Sequence, residues 1–133
     1  MSGDLTKNFS RKEFACQCGC GFDTVDYGLV VTLQALVDKF EGFLGKDISI
    51  LVTSGCRCRN HNTNIGGSAN SQHTLGRAAD FKVFVKGTKE QVDPDVVADT
   101  LEKIFPESCG IGRYSNRTHF DTRSNGPARW DVR

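Results

Sequence analysis

The chain has 133 residues, long enough for one domain with a buried core, and its 38% hydrophobic and 25% charged residues are ordinary for a globular protein. A formal net charge of +1 gives no basis for electrostatic binding to nucleic acid or to an anionic membrane. No apolar run is long enough to span a bilayer, and the opening stretch MSGDLTKNFSRKEF lacks the apolar region of a signal peptide. We therefore expect a monomer that is made in the cytoplasm and binds neither nucleic acid nor membrane.

The N-terminal part of the chain predicts an irregular segment followed by a helix. Residues 1–25 include CQCGCGFD, which is too rich in glycine and cysteine for a regular element. Over residues 26–44, apolar residues recur at intervals of three and four, which indicates a helix with one buried stripe. Gly45 then ends this helix. The predicted stripe comprises Leu29, Leu33, Leu36, Val37, Phe40 and Leu44.

The middle of the chain predicts two strands separated by a loop. Residues 48–55 are β-rich and end in a turn, and residues 58–72 form a long polar stretch that predicts a loop. Residues 78–85 alternate in polarity, as a half-buried strand does. Their predicted core positions are Ala79, Phe81, Val83 and Val85, and their opposite positions are Ala78, Asp80 and Lys82.

The last third of the chain predicts a helix over residues 93–105, which has Pro94 in its first turn, and short strands over 109–114 and 118–123. The resulting order is helix, strand, loop, strand, helix, strand, strand. This order predicts a single α+β domain over residues 1–133, with a small antiparallel sheet and helices packed on one face. The other face of the sheet is left free to carry a site.

Six cysteines are too few for a fold built on disulfides. Cysteines two apart on an extended chain are poorly placed to bridge each other, and no Cys-x-x-Cys zinc spacing occurs. Reduced packing thiols and a bridge between clusters are equally open, and a thiolate-bound metal is the less favoured reading. The cysteines form the groups Cys16, Cys18 and Cys20, then Cys56 and Cys58, then Cys109.

Two histidines and an aspartate are predicted to share the free face of the sheet. His73 stands just before the strand that carries Asp80, and on the strand THFDTR alternation puts His119 and Asp121 on one face. If Phe120 packs inward, that face is also the face of Asp80. Two imidazoles and one carboxylate, with a fourth position left to water, are a catalytic zinc pattern. The small residues Gly76, Ala78 and Ala79 are then explained by a close approach of the backbone to an ion.

Longer stretches of the chain resemble a known family. SQHTLGRAAD matches the Ser-x-His-x-x-Gly-x-Ala-x-Asp signature of the zinc D-Ala-D-Ala carboxypeptidases and L-Ala-D-Glu endopeptidases. EFACQCGCGFD, TSGCRCRNHN and GIGRYSNRTHFDTR followed by ARW are similar to further blocks of the small carboxypeptidase-like branch found in phage endolysins and bacterial genomes. The resemblance covers most of the chain and implies a fold like that of the Hedgehog signalling domain.

The resemblance also implies the roles of individual residues. His73, Asp80 and His119 match the family's zinc ligands, so one zinc ion per chain is expected. Arg57, in SGCR, matches the arginine that binds substrate and steadies the carbonyl oxygen. Ser71 and Gln72, within the same signature, are expected to contact substrate.

The family's usual general base has no obvious counterpart. Many relatives carry an acidic residue three positions before the last zinc-binding histidine, or a second histidine two before it, and here Asn116 and Arg117 stand there. Asp121, on the same strand face as His119, is the nearest carboxylate and is predicted to be the base. The alternative is that Asp121 only orients a metal ligand or an arginine.

Together these residues predict zinc-assisted hydrolysis of an amide bond in the stem peptide of peptidoglycan, because that is the substrate of the resembled family. An endolysin of this type would act on the cell wall after its release from the cytoplasm. Two other classes stay open. One is a metal-bound but inactive binding module, and the other is a non-catalytic phage structural component that keeps the fold.

Overall fold

The computed structural model of the chain describes residues 3–68 and 70–133. Residues 1, 2 and 69 fall within the predicted N-terminal segment and the predicted polar loop, and they lie outside this description. Within the described ranges, no helix combines the length and the apolar character that crossing a bilayer requires.

Two helices form where the sequence predicts them. α1 spans Tyr27–Leu44 and ends at Gly45, whose φ of 65° is in the left-handed region that glycine tolerates. α3 spans Pro94–Ile104, and the Asp93 side chain accepts a hydrogen bond from the Asp95 N–H at its start. The predicted stripe of α1 is buried except at its last member, Leu44, which is 45% exposed.

The predicted loop over residues 58–72 is wrong in part, because it contains a short helix. α2 spans Arg59–Asn64, and Cys58 caps it by accepting the His61 N–H. A 3-10 turn, Gln72–Leu75, follows at the end of this stretch. The residues of α2 are polar and form no apolar stripe, so the periodicity that reveals the two longer helices is missing here.

The sheet has five strands in the order β1-β2-β4-β3-β5. The pairs β1–β2, β2–β4 and β3–β4 are antiparallel, whereas β3 and β5 are parallel. The small antiparallel sheet that the sequence predicts is therefore mixed at this edge, because β5, which was not predicted, pairs with β3 in parallel. The strands are β1 Ile48–Ser54, β2 Ala78–Val85, β3 Gly110–Arg113, β4 Thr118–Asp121 and β5 Ala128–Asp131.

The core lies between one face of this sheet and the helices α1 and α3, as the α+β prediction requires. Sheet residues such as Phe81, Ile111 and Phe120 pack in one cluster with residues of both helices, and Phe9 and Phe14 of the N-terminal segment join it. Because side chains alternate along a strand, the neighbours of these core residues point to the opposite face. That face carries Asp80, His119 and Asp121.

Candidate metal centre and cleft

Strand register places Asp80 and His119 side by side. They are direct partners in the antiparallel pair of β2 and β4. His73 reaches them from the 3-10 turn Gln72–Leu75, where the Ser71 hydroxyl accepts the His73 N–H at 3.2 Å. Gly76 ends this turn with a φ of 69°, and a Cβ there would overlap the backbone of Thr24. The contact with Thr24, rather than the approach of an ion, therefore explains why Gly76 is small.

The structure brings His73, Asp80 and His119 together. Their candidate ligand atoms all lie within 4.8 Å of one another, and all three residues are buried. The distance from His73 Nε2 to Asp80 Oδ2 is 3.5 Å, and the distance from His119 Nδ1 to Asp80 Oδ1 is 2.9 Å. One nitrogen of each ring thus faces the same carboxylate, as a shared cation would require.

The opposite nitrogen of each ring is held by an acceptor. His73 Nδ1 lies 2.7 Å from the Gly55 carbonyl oxygen, and His119 Nε2 lies 2.7 Å from Asp121 Oδ2. A carbonyl oxygen only accepts, so Nδ1 of His73 carries the hydrogen and its Nε2 presents a lone pair towards Asp80. Histidines that bind metals are oriented by such carbonyl and carboxylate acceptors. The donor set therefore fits a metal ion.

Asp121 lies behind His119, on the side of the ring away from Asp80. Its side chain is fully buried, and Arg123 donates to both of its oxygens at 2.7 Å. Burial alone would raise the pKa of Asp121, but the hydrogen bonds from Arg123 and His119 hold it well below its usual range. Both oxygens of Asp121 are occupied by hydrogen bonds, which favours a role in orienting His119 over the role of general base.

The same contacts set the charge of the other buried groups. Burial lowers the pKa of His119, but its hydrogen bonds to Asp121 and Asp80 outweigh burial and raise the pKa above its usual value. Burial raises the pKa of Asp80, and its hydrogen bonds with His119 and His73 reverse this and lower it. Without a metal, the site therefore stabilises a protonated His119 between two carboxylates.

Arg57 stands beside this group. Its Nε donates to Ser54 Oγ at 3.1 Å, and its terminal nitrogens lie 3.3 Å from Asn62 Oδ1 and 3.5 Å from Asp80 Oδ2. Its backbone N–H donates to the His73 carbonyl at 2.9 Å. Burial lowers the pKa of Arg57, and the charge of Asp80 offsets part of that effect. The guanidinium is thus fixed, charged and next to the candidate metal ligands.

A cleft of about 580 Å³ opens over these residues, and Arg57, Ser71 and Gln72 line it. The Ser71 hydroxyl is already used to cap the turn that carries His73. By contrast, Gln72 Oε1 is buried and has no hydrogen-bond partner among the described residues. An acceptor in this state can receive an N–H from a bound molecule.

A comparison with protein families identifies the family of the chain. The model of the Peptidase M15 family matches residues 7–121. The chain belongs to the Peptidase M15 family. This family comprises zinc metallopeptidases of the D-Ala-D-Ala carboxypeptidase type, so the resemblance found in the sequence is confirmed and the chain is a metallopeptidase. Comparisons with curated proteins and with solved structures give no match.

Other cleft residues of this M15 peptidase were missed from the sequence. Trp130 of β5 packs against His119 in a tilted arrangement, with ring centroids 4.7 Å apart, and its Nε1 donates to the Tyr114 hydroxyl at 3.0 Å. Arg123 lies over the same indole, 5.6 Å from its centroid. Trp130 is the only tryptophan of the chain, but nothing local shows that β5 pairs with β3 and so reaches the site.

Asn116 and Arg117, at the positions where relatives carry a base, do not line the cleft of this M15 peptidase. Arg117 stacks on the Tyr114 ring, 4.0 Å from its centroid, and its NH1 contacts the Asn116 side chain. Among the described residues that line the cleft, Asp80 is the only carboxylate. Asp121 does not line the cleft.

Proposed function

We propose that this M15 peptidase is a zinc enzyme that hydrolyses an amide bond in the stem peptide of peptidoglycan. The observation that supports this most directly is the convergence of His73, Asp80 and His119 in one cleft. The fixed guanidinium of Arg57 lines the same cleft. This arrangement combines a cation site with a second positive group for a polarised carbonyl oxygen. Hydrolysis of an amide uses both.

His73, Asp80 and His119 would hold the zinc ion. Two imidazole nitrogens and one carboxylate oxygen are a common set in catalytic zinc sites, where the fourth position stays open. Zinc in such a site lowers the pKa of water from about 15.7 to about 7 and polarises a carbonyl group. The Gly55 carbonyl and Asp121 keep the two imidazoles in the tautomers that the site needs.

Arg57 and Asp121 then have separate roles. Arg57 would bind the carbonyl oxygen of the scissile amide and stabilise the negative charge that develops there. Arg57 lies 3.5 Å from Asp80, and a cation held by that carboxylate would compete with Arg57 for it and leave the guanidinium available to substrate. Asp121 would act through His119 as a positioning residue, because its contacts with His119 and Arg123 keep it out of the cleft.

The stem peptide suits the rest of the cleft. It carries free carboxylates and repeated amide N–H groups, which match the Arg57 guanidinium and the unpaired Gln72 Oε1. Trp130 supplies an apolar wall next to the metal ligands. We propose that the chain works as a monomer on the cell wall after its release, in the manner of an endolysin.

One observation favours a second candidate function, a metal-bound binding module without turnover. Asp80, a proposed ligand, is the only carboxylate that lines the cleft among the described residues, so no separate carboxylate is placed to accept a proton from water. A module of this type would bind the stem peptide and leave it intact.

Digestion of purified peptidoglycan separates the two functions. We expect the zinc-loaded protein to release fragments whose masses identify the cleaved bond, a chelator to abolish release, and added zinc to restore it. His73→Ala should lose the activity and the metal ion held by His73, Asp80 and His119. His61→Ala is the matched control, because His61 lies in α2 and does not line the cleft. Stem-peptide binding without fragments, with zinc present, would overturn the peptidase and support the binding module.

A further inference from the structure

Four of the six cysteines meet at a second place in the fold. Cys16, Cys18, Cys20 and Cys58, here called the cysteine cluster, have sulfur atoms that all lie within 4.8 Å of one another. The sulfur of Cys18 is 3.4 Å from that of Cys16 and 3.6 Å from that of Cys58. None of these residues belongs to the cleft described above.

A tight turn gathers three of these sulfurs. The Cys16 N–H donates to the Phe22 carbonyl at 2.8 Å, and the Gly19 N–H donates to the Cys16 carbonyl at 3.2 Å. Gly19 and Gly21 have φ values of 81° and 89°, which only glycine adopts readily. The turn therefore folds back on itself and points the side chains of its three cysteines towards one place.

The fourth sulfur comes from a distant part of the chain. Cys58 follows β1, and the preceding segment is fixed to the N-terminal part by a hydrogen bond from the Cys56 N–H to the Phe14 carbonyl at 2.7 Å. Cys18 and Cys58 are 40 residues apart in sequence. The cluster thus joins two segments that share no strand pairing.

The sulfur separations match a metal site better than a disulfide. Four sulfurs at the corners of a tetrahedron, each about 2.3 Å from zinc, are about 3.8 Å apart. The sulfur–sulfur distances of 3.4 Å and 3.6 Å and the upper limit of 4.8 Å lie around that value. A disulfide joins two sulfurs at about 2.05 Å and leaves the other two without a role.

Backbone amides point at three of the four sulfurs. The Cys58 N–H donates to Cys16 Sγ at 3.4 Å, and the His61 N–H donates to Cys58 Sγ at the same distance. The Phe22 N–H donates to Cys20 Sγ at 3.5 Å. Such donors stabilise negative charge on sulfur and orient it, as outer-shell partners do in metal sites.

We propose that the cysteine cluster binds a second, structural zinc ion. Four thiolates close the coordination of zinc and leave no position for water, which distinguishes a structural site from a catalytic one. The thiols release their protons as the ion binds. The spacing Cys-x-Cys-x-Cys departs from the Cys-x-x-Cys of common zinc motifs, and Cys58 completes the set only through the fold.

This ion would hold part of the cleft wall. Arg57 is the neighbour of Cys58 in the chain, and its N–H supports the turn that carries His73. Binding of zinc by the cysteine cluster would fix this segment against the N-terminal turn. Loss of the ion should therefore loosen Arg57 and lower kcat, because Arg57 is the group proposed to stabilise the charge that develops on the carbonyl oxygen.

Metal analysis of the purified protein tests the proposal without reference to hydrolysis. Protein prepared under reducing conditions without chelator should contain about two zinc ions per chain, one for each kind of site. The double variant His73→Ala, His119→Ala should keep about one, and the double variant Cys18→Ser, Cys20→Ser should also keep about one. Cys109→Ser is the matched control and should keep both, since Cys109 lies outside the cluster.

Cobalt substitution shows which ion is which. Cobalt bound by the histidine double variant should give the near-ultraviolet thiolate-to-metal charge-transfer absorption, and the cysteine double variant should lack it. Should the cysteine double variant fail to fold, a mercurial thiol reagent added to wild-type protein should release about one zinc ion per chain, since it displaces only thiolate-bound metal. A histidine double variant without metal, or a disulfide that mass spectrometry of the non-reduced protein maps to a cysteine of the cluster, would overturn the proposal.

Discussion

At the scale of single residues, His119 is held between two carboxylates that do different things. Asp80 approaches its Nδ1 from the cleft, and Asp121 accepts from its Nε2 in the protein interior. The second contact fixes the ring and would increase its basicity as the proposed metal ligand. Arg123 balances the charge of Asp121, so the carboxylate can stay ionised although it is fully buried.

Asp121→Asn tests this division of roles. The amide keeps the shape but loses the charge, and its NH₂ group faces a donor of Arg123 or His119 whichever way it is turned. If Asp121 positions His119, zinc affinity should fall on the order of 10- to 100-fold, as it does when an outer-shell partner is lost. A chromophoric chelator in competition measures this affinity.

A general base would give another result for Asp121→Asn. Zinc affinity would stay at the wild-type value, while hydrolysis at saturating zinc would fall on the order of 10²-fold or more. Asp131→Asn is the control, because Asp131 is an exposed carboxylate that is paired with Arg133. It should change neither quantity.

Arg57→Lys separates charge from geometry. Lysine keeps the positive charge but cannot contact Ser54, Asn62 and Asp80 at once, as the guanidinium does. Hydrolysis should fall on the order of 10²-fold, the usual effect of losing one oxyanion donor, while zinc content stays unchanged. Arg59→Lys is the control, since Arg59 does not line the cleft. Full activity in Arg57→Lys would remove Arg57 from the proposed mechanism.

At the scale of elements, strand β3 makes room for the site. A Cβ at Gly110 would overlap the carboxylate of Asp121, and one at Gly112 would overlap the indole of Trp130. Both glycines lie on the site face of the sheet, where their neighbours in β4 and β5 fill the space that side chains would take. The absence of side chains at these two positions of β3 therefore leaves space for Asp121 and Trp130.

Gly110→Ala should therefore destabilise the protein by about 1–3 kcal/mol, the usual cost of overpacking a buried position. It should also weaken zinc binding, because Asp121 must move. Gly42→Ala is the matched control, since a Cβ there meets nothing and alanine favours a helix. Denaturant unfolding measures the free energy of unfolding of both variants. Equal free energies of unfolding for Gly110→Ala and wild type would contradict the overlap.

Elements were predictable where their residues repeat with a period. α1, α3 and β2 have apolar stripes or alternation, and their positions follow from the sequence. α2 has neither, and β5 alternates over only four residues, which is too short a run to identify a strand. The position of β5 at the edge of the sheet depends on its parallel pairing with β3, and no local sequence pattern predicts that pairing.

At the scale of the whole molecule, the site is assembled by sheet register. Asp80 and His119 were predicted to share a face because alternation is local, but their pairing depends on β2 and β4 being neighbours. The Gly55 carbonyl gives no side-chain signal, so its contact with His73 could not be predicted. Cys58 likewise joins the other three cysteines only through the fold.

The metal-free molecule should respond to pH in a direction that these contacts set. The pKa of His119 is raised in the folded state, so its contribution to stability is fully present below the ordinary histidine pKa of about 6.5. That contribution is lost as pH rises through the higher pKa of the folded state. The pKa values of Asp80 and Asp121 are lowered, so their contributions are present above about 3.9 and are lost towards acid.

Thermal unfolding of chelator-treated protein across pH 5 to 9 should therefore show a melting temperature that declines on the alkaline side. His119→Gln should flatten this decline, because glutamine carries no charge for Asp80 and Asp121 to stabilise. His61→Gln should keep the decline, since His61 contacts neither carboxylate. If wild type and His119→Gln lose stability in parallel as pH rises, a protonated His119 between Asp80 and Asp121 does not stabilise the folded protein.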